Sequence, residues 1–263
     1  MLTYHFFPVL IIAGLISAVL LRWAIPAALS RPGGFPAAPW AWPDAVFSGG
    51  LAAFFIAMAI ESARHAEGKV TLDAVVASLA LYMAVVVLIT GFLVFRGINP
   101  IAAFGLRWGG WVQGVFVIVP CALLLSLPLI YLAQNLAYLI SGPDTAPQAI
   151  VTFFLENSGW KERTAVAAIA ILGAPVTEEL VFRGCIYGIV RKNAGRMVAV
   201  FATSVLFALI HGHVPSLPGL FILAVALALV YERTGSLWAP VCLHAAFNGL
   251  TIVGAILFPD FSK

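Results

Sequence analysis

Long runs of apolar residues recur along almost the whole chain, and they constrain its fold more than any other feature. A transmembrane helix needs about 20 predominantly apolar residues, and about eight segments approach that length. They cover residues 4–25, 45–60, 74–95, 112–132, 164–190, 197–210, 218–231 and 237–258. Only 10% of the residues are charged, so the chain cannot cover itself with a polar surface. The sequence therefore predicts an all-α, polytopic transmembrane helical bundle of about eight spans.

The remaining composition limits the partners and the number of domains. No soluble domain fits between the apolar runs, so residues 1–263 are expected to form a single integral membrane domain. Its N-terminal four spans lie within 1–140, and its last four lie within 164–258. A formal net charge of +3, without any basic run, argues against nucleic acid as a partner. The lipid bilayer is the partner that the composition predicts.

Three cysteines, Cys121, Cys185 and Cys242, all lie in apolar runs. They have neither metal-ligand spacing nor the pattern of a disulfide framework. We expect them to pack as small hydrophobic side chains.

Three charged residues interrupt the fifth apolar run: Glu178, Glu179 and Arg183. Ionisable groups at membrane depth are costly, and they commonly mark functional sites. Residues four apart share a helix face, so Glu179 and Arg183 are predicted to form an ion pair within one helix, leaving Glu178 available for chemistry. Pro175, just before them, removes a backbone hydrogen bond and predicts a kink or an opened turn. The alternative is a buried ion pair that only locks helices together.

Two further runs carry isolated polar residues. His211 ends the sixth run, and His213 follows after a glycine. In the eighth run His244 and Asn248 are four residues apart, so they project from one stripe of one helix. Histidine and asparagine also hydrogen-bond between membrane helices, so a purely structural role is open for each.

Together these residues supply the groups needed for peptide hydrolysis without a covalent intermediate. A carboxylate with an imidazole can hold and deprotonate a water molecule. A second imidazole and an amide N–H can donate to the oxyanion of a tetrahedral intermediate.

At these residues the chain resembles the CAAX protease and bacteriocin-processing (CPBP, or Abi) family of intramembrane endopeptidases. The family's two glutamates with a following arginine match Glu178, Glu179 and Arg183, its aromatic residue four before a histidine matches Phe207 and His211, and its last motif matches His244 and Asn248. The resemblance covers about residues 164–258 and implies an intramembrane catalytic cavity.

The resemblance implies a role for each matched residue. Glu178 and His211 would activate water, His244 and Asn248 would stabilise the oxyanion, and Glu179 and Arg183 would support the site. It favours a glutamate-type mechanism with no cofactor and no metal. Zinc held by Glu178, His211 and His244 is the less favoured alternative, because the HExxH signature is absent and asparagine is a poor zinc ligand.

The expected substrate is a membrane-anchored or exported peptide or protein, and the expected location is a bacterial inner (plasma) membrane. With eight spans, the loops after the odd-numbered spans carry eight Lys or Arg residues and the opposite side carries five. The positive-inside rule then puts both termini outside the cytoplasm. The alternative function is a non-catalytic membrane immunity or scaffolding protein that uses the same polar residues to join helices.

Overall fold

The computed structural model describes the chain as helices joined by short connections. The described residues are 11–12, 14–16, 18–19, 22, 40–64, 70–106, 114–142, 149–156 and 159–257. Among them there is no β-strand. The all-α prediction is therefore confirmed.

Eleven α-helices follow one another from residue 42 onward within the described ranges. They are α1 Trp42–Arg64, α2 Leu72–Phe95, α3 Pro100–Ala103, α4 Val119–Ser141, α5 Ala149–Glu156, α6 Trp160–Ala168, α7 Ala174–Glu179, α8 Tyr187–Ala194, α9 Arg196–Leu209, α10 Leu217–Thr234 and α11 Trp238–Leu257. Three π-helical turns, Gly114–Ile118, Ile169–Gly173 and Leu180–Ile186, and one 3₁₀ turn, Val214–Ser216, continue or connect them.

The prediction of about eight spans is wrong in its count. Within the described residues, six helical segments are long and apolar enough to cross a membrane. They are Trp42–Ser62, Leu72–Phe95, Val115–Ser141, Trp160–Ala194, Val214–Thr234 and Trp238–Leu257. The predicted span 197–210 is the helix α9, whose 14 residues rise only about 21 Å, less than the ~30 Å hydrocarbon core. The predicted span 4–25 lies mostly outside the described residues.

The segment Trp160–Ala194 is one continuous helical run of 35 residues. It contains the π-helical turns Ile169–Gly173 and Leu180–Ile186, one on each side of α7. Pro175 lies at the start of α7, so the opened turn that this proline predicted is present. Because each π turn adds a residue to the helix repeat, the two turns reset which side chains face the interior around Glu178.

The interior of the bundle lies around this run and α10. In the apolar stretch of Trp160–Ala194, 44% of the residues are buried inside the bundle, and in that of Val214–Thr234 the share is 50%. In Trp42–Ser62 it is only 11%. The main core cluster includes Phe182, Tyr187 and Phe207, all fully buried. The two central helices therefore carry the most enclosed positions, and the buried charges lie on one of them.

One end of the bundle collects half of the described Lys and Arg residues. Arg96 pairs with Asp44 at 3.3 Å, and Arg191 pairs with Glu232. The first contact joins the end of α2 to the start of α1, and the second joins the end of α8 to the end of α10. A hydrogen bond from Lys192 to the Trp40 carbonyl joins the end of α8 to the start of α1. Lys192, Arg196 and Arg233 lie at the same helix ends, and we refer to the five residues Arg96, Arg191, Lys192, Arg196 and Arg233 as the basic end. The orientation in the membrane stays a prediction, with the basic end in the cytoplasm.

Candidate active site

Glu179 is the centre of a buried charged network that joins three helical segments. Its Oε1 atom accepts hydrogen bonds from Nη1 of Arg183 and from Nδ1 of His244, each at 3.0 Å. Nη2 of Arg183 donates to the carbonyl oxygen of Ala224 on α10 at 2.9 Å. The ion pair predicted from the four-residue spacing is present, and His244 on α11 is a further partner of it.

The network explains how a full positive charge is tolerated at this depth. The side chains of Glu179 and Arg183 are both 0% exposed. The Arg183 guanidinium also lies 4.8 Å from the ring centroid of Phe207, within the range of a cation–π contact. A buried charge is stable only where it is paired and hydrogen-bonded. Arg183 is paired with Glu179 in its own helical run, and it is hydrogen-bonded to the Ala224 carbonyl of α10.

Glu178, the neighbouring carboxylate, is arranged differently. Its Oε2 atom is buried and has no hydrogen-bond partner. It lies 3.9 Å from Nε2 of His211 and 3.9 Å from Nε2 of His244. These distances are too long for direct hydrogen bonds, yet they are short enough for one water molecule to join a pair of these atoms. The structure therefore brings Glu178, His211 and His244 together from three separate helical elements.

His211 lies two residues beyond the end of α9 and is held there by the last turn of that helix. Its Nδ1 atom lies 2.7 Å from the carbonyl oxygen of Phe207, and its ring packs against the Phe207 ring. A carbonyl oxygen can only accept, so Nδ1 carries a proton and donates it. In the neutral ring Nε2 is then the basic nitrogen, and it faces Glu178.

His244 has the same orientation for a different reason. Its Nδ1 atom faces the Glu179 carboxylate, which fixes Nδ1 as a donor and turns Nε2 toward Glu178. The side chain of His244 is only 4% exposed, whereas that of His211 is 25% exposed. Access to Glu178 is therefore more open on the His211 side.

Asn248 makes its described contact outside the carboxylate cluster. Its Nδ2 atom donates to the carbonyl oxygen of Ala170 at 2.7 Å. In the π-helical pattern this carbonyl would accept from residue 175, which is Pro175 and has no N–H. The amide of Asn248 supplies the donor that the proline lacks. One amide hydrogen is used in this way, and the second is not assigned to any partner among the described contacts.

The sequence reasoning identified the charged and polar side chains of this cluster but missed their backbone partners. The carbonyl oxygens of Ala170 and Ala224 each accept from a site residue. Pro175 was the available signal for the first of these, because a proline in a helix leaves a carbonyl without its donor. For the carbonyl of Ala224 the sequence holds no signal. His213 lies apart from the cluster and pairs with Ser216 at 2.7 Å.

Within the described residues, no group of three or more His, Cys, Asp or Glu side chains is arranged to hold a metal ion. The three cysteines are free thiols. Whether the site works without a metal stays a prediction.

The fold and the cluster define a class of protein: an integral membrane protein with a carboxylate and two imidazoles facing one another inside a helical bundle. Residues 160–250 match the family described as type II CAAX prenyl endopeptidase Rce1-like. The resemblance inferred from the three motifs is thereby confirmed for this segment, which contains all six residues assigned to the site.

Two curated bacterial proteins match part of the chain. "Membrane-embedded CAAX protease MroQ" of Staphylococcus aureus is 31% identical over 101 residues, which is 36% of this chain and 40% of that protein. "Putative membrane peptidase YdiL" of Bacillus subtilis is 25% identical over 85 residues, 32% of this chain and 35% of that protein. The chain thus matches well under half the length of these relatives. No solved structure matches the chain. The six apolar segments and the bacterial relatives confirm an integral protein of a bacterial membrane.

Proposed function

We propose that this protein is an intramembrane endopeptidase that hydrolyses a peptide bond with a water molecule activated by Glu178 and His211. One observation carries the proposal: the unpartnered Oε2 atom of Glu178 lies 3.9 Å from the Nε2 atoms of two histidines whose other nitrogens are already held. The match of residues 160–250 to a peptidase family supports it.

The first step is the activation of water. A water molecule held between Glu178 and Nε2 of His211 gives one proton to this pair, and its oxygen attacks the carbonyl carbon of the scissile bond. Nδ1 of His211 stays bonded to the Phe207 carbonyl, so the ring does not rotate as the proton moves. The proton then goes to the amine that leaves when the C–N bond breaks, and Glu178 is returned to its starting state.

The second requirement is a donor for the oxyanion. When His244 carries both ring protons, Nδ1–H goes to Glu179 and Nε2–H is directed to the space beside Glu178. In this mechanism Glu179 orients His244 in the way that a carboxylate orients a catalytic histidine. The second amide hydrogen of Asn248, one helical turn further on, completes the pair of oxyanion donors.

The non-catalytic alternative fits part of the network only. The bonds from His244 to Glu179 and from Asn248 to Ala170 join helices, as that alternative expects. A residue that only joins helices has its polar atoms satisfied, because an unpaired buried acceptor costs about 1–3 kcal/mol. Oε2 of Glu179 is also buried without a partner, but Oε1 of Glu179 accepts two hydrogen bonds. Glu178 makes no hydrogen bond among the described contacts, and this favours the enzyme.

The substrate class follows from the place of the site. Glu178 lies in the middle of a membrane-spanning run, so the scissile bond belongs to a peptide or protein that is itself anchored in the bilayer or exported through it. No metal or cofactor takes part in the proposed steps.

The test compares protein termini in membranes of cells that carry the wild-type protein, Glu178→Gln or Glu61→Gln. Glu61 is an exposed glutamate paired with Arg64, so it serves as the matched control. New N-termini that appear with wild type and Glu61→Gln should be absent with Glu178→Gln at equal protein abundance. Identical termini for wild type and Glu178→Gln would refute the peptidase.

Metal dependence is tested on the purified protein. The proposal expects cleavage to survive a chelator and expects no stoichiometric zinc by elemental analysis. Stoichiometric zinc that is lost in Glu178→Ala would instead establish the zinc-dependent alternative.

A further inference from the structure

A cavity lies outside the catalytic cluster, between α4 and α10. It has a volume of about 370 Å³. Its walls are the facing stripes of the two helices: Ile118, Ala122, Leu125 and Leu129 line one side, and Ile222, Ala226, Leu229 and Val230 line the other. The side chains of Leu125, Leu129 and Leu229 are exposed, so the cavity is a groove open to the surrounding bilayer.

The groove is closed at one end and charged at the other. Towards the start of α10, Gly219 packs so closely on Gln134 of α4 that an added Cβ would meet Gln134 Cγ at 2.6 Å. At the opposite end the lining consists of Arg196 and Arg233, where α9 begins and α10 ends. The groove therefore leads from an apolar floor to two guanidinium groups of the basic end.

These two arginines are not neutralised by the protein around them. The carboxylate of Glu232 is shared between Arg191, the Tyr187 hydroxyl and Arg196, and it lies 3.8 Å from Arg196. No ion pair to Arg233 occurs within the part of the chain that the structure describes. One carboxylate thus faces two arginines, and Arg233 adds a further positive charge, which leaves an excess of positive charge at the mouth of the groove.

The length of the groove matches one leaflet of a bilayer. From Ile222 to Arg233, α10 rises about 17 Å, close to half of a ~30 Å hydrocarbon core. A lipid whose headgroup lies at the basic end would place one acyl chain along this length. A free anion such as phosphate would contact the two arginines and leave the apolar walls unused.

We propose that this groove is a binding site for an anionic phospholipid, with its phosphate between Arg196 and Arg233 and one acyl chain between α4 and α10. Basic residues at helix ends bind anionic headgroups, and each cation near the surface strengthens the interaction. The site is separate from the catalytic cluster, because the 14 residues of α9 put about 21 Å between Arg196 and the end of the helix that holds His211. It follows from the described surface and does not depend on the proposed peptidase activity.

The experiment uses the full-length protein, delipidated in detergent, and measures lipid binding by native mass spectrometry and by the shift in thermal unfolding temperature. Dioleoyl phosphatidylglycerol, dioleoyl phosphatidylcholine and inorganic phosphate are added separately. The wild-type protein should bind phosphatidylglycerol and be stabilised by it, with a much smaller effect from phosphatidylcholine and none from phosphate.

The variants separate the two parts of the site. Arg196→Gln with Arg233→Gln should weaken phosphatidylglycerol binding by about tenfold or more. The matched control is Arg64→Gln, which removes an exposed arginine in the last turn of α1, at the end of that helix away from the basic end. It should leave phosphatidylglycerol binding unchanged. Ala226→Leu, which narrows the groove and keeps both arginines, should also weaken binding, and Ala226→Gly should not.

Three results would overturn the proposal. The first is equal phosphatidylglycerol binding by wild type and the double arginine variant. The second is stabilisation by inorganic phosphate as large as that by phosphatidylglycerol, since the apolar groove would then contribute nothing. The third is unchanged lipid binding in a folded Ala226→Leu protein.

Discussion

Replacing Glu179 with alanine is expected to destabilise the protein far more than the same change at Glu178. Glu179→Ala leaves the Arg183 guanidinium fully buried without its carboxylate, and it removes the partner of Nδ1 of His244. Breaking a buried ion pair by removing one member costs about 3–5 kcal/mol. Glu178→Ala removes a carboxylate whose Oε2 has no partner, so we expect a change within about 1 kcal/mol.

The assay is equilibrium unfolding of the purified protein in mixed micelles, followed by the circular dichroism of its helices. Protein abundance in membranes gives a second, independent measure. A double variant, Glu179→Ala with Arg183→Met, is the control for the mechanism. Removing both charges together should restore most of the stability lost in Glu179→Ala, because no unpaired guanidinium remains.

The reasoning would be refuted by equal destabilisation in Glu178→Ala and Glu179→Ala. It would also be refuted if the effects of the two changes simply added, so that Arg183→Met destabilised the Glu179→Ala protein as much as it destabilises the wild type. Either result would mean that the two glutamates do not divide the roles of catalysis and charge pairing as their contacts indicate.

Four further outcomes are expected. His211→Ala should abolish processing while the protein stays folded, since its ring bonds only the Phe207 carbonyl and faces Glu178; normal terminal-peptide profiles would contradict this. Asn248→Ala should lower the free energy of unfolding by about 1–3 kcal/mol, because the Ala170 carbonyl loses its donor. Adding Pro175→Ala should restore part of this stability by returning a backbone N–H, and unfolding curves of the single and double variants test both effects. Gly188→Leu should lower the unfolding temperature, since even a Cβ there would lie 2.6 Å from Nε1 of Trp40. Gly49→Leu, at an exposed position of α1 where an added Cβ meets nothing within 4 Å, should not, and differential scanning fluorimetry compares them. Cys185→Ser should leave processing unchanged, because this fully buried thiol has no role in the mechanism, and a loss at normal abundance would point to a missed function.

The sequence was sufficient for the parts of the fold that depend on local pattern. Apolar runs predicted the helices because a long run can satisfy its backbone in lipid only as a helix. The span count was wrong because α9 is as apolar as the spans beside it, although its 14 residues are too few to cross the hydrocarbon core. The ion pair of Glu179 and Arg183 could be predicted because spacing within one helix is a local property.

What the sequence did not predict depends on contacts between helices. His244 was expected to donate to the oxyanion or to join helices, but its particular partner was not predicted: its Nδ1 binds Glu179 on another helix, so it belongs to both the charged network and the site. Asn248 was expected as an oxyanion donor, which stays a prediction; its described bond, to the carbonyl that Pro175 leaves open, was not predicted. Both contacts depend on how α11 packs against the segment 160–194, which no spacing within one helix encodes.

The two adjacent glutamates acquire different roles from helix geometry as well as from their partners. Neighbouring residues on an α-helix point about 100° apart, so the two side chains face different surroundings. Glu179 pairs with Arg183, four residues further on, while Glu178 faces His211 and His244. His244 contacts both carboxylates through its two nitrogens, so any shift of α11 that improves the bond to Glu179 also moves Nε2 relative to Glu178. The stability of the charged network and the geometry of the water-activating pair are therefore coupled through a single ring.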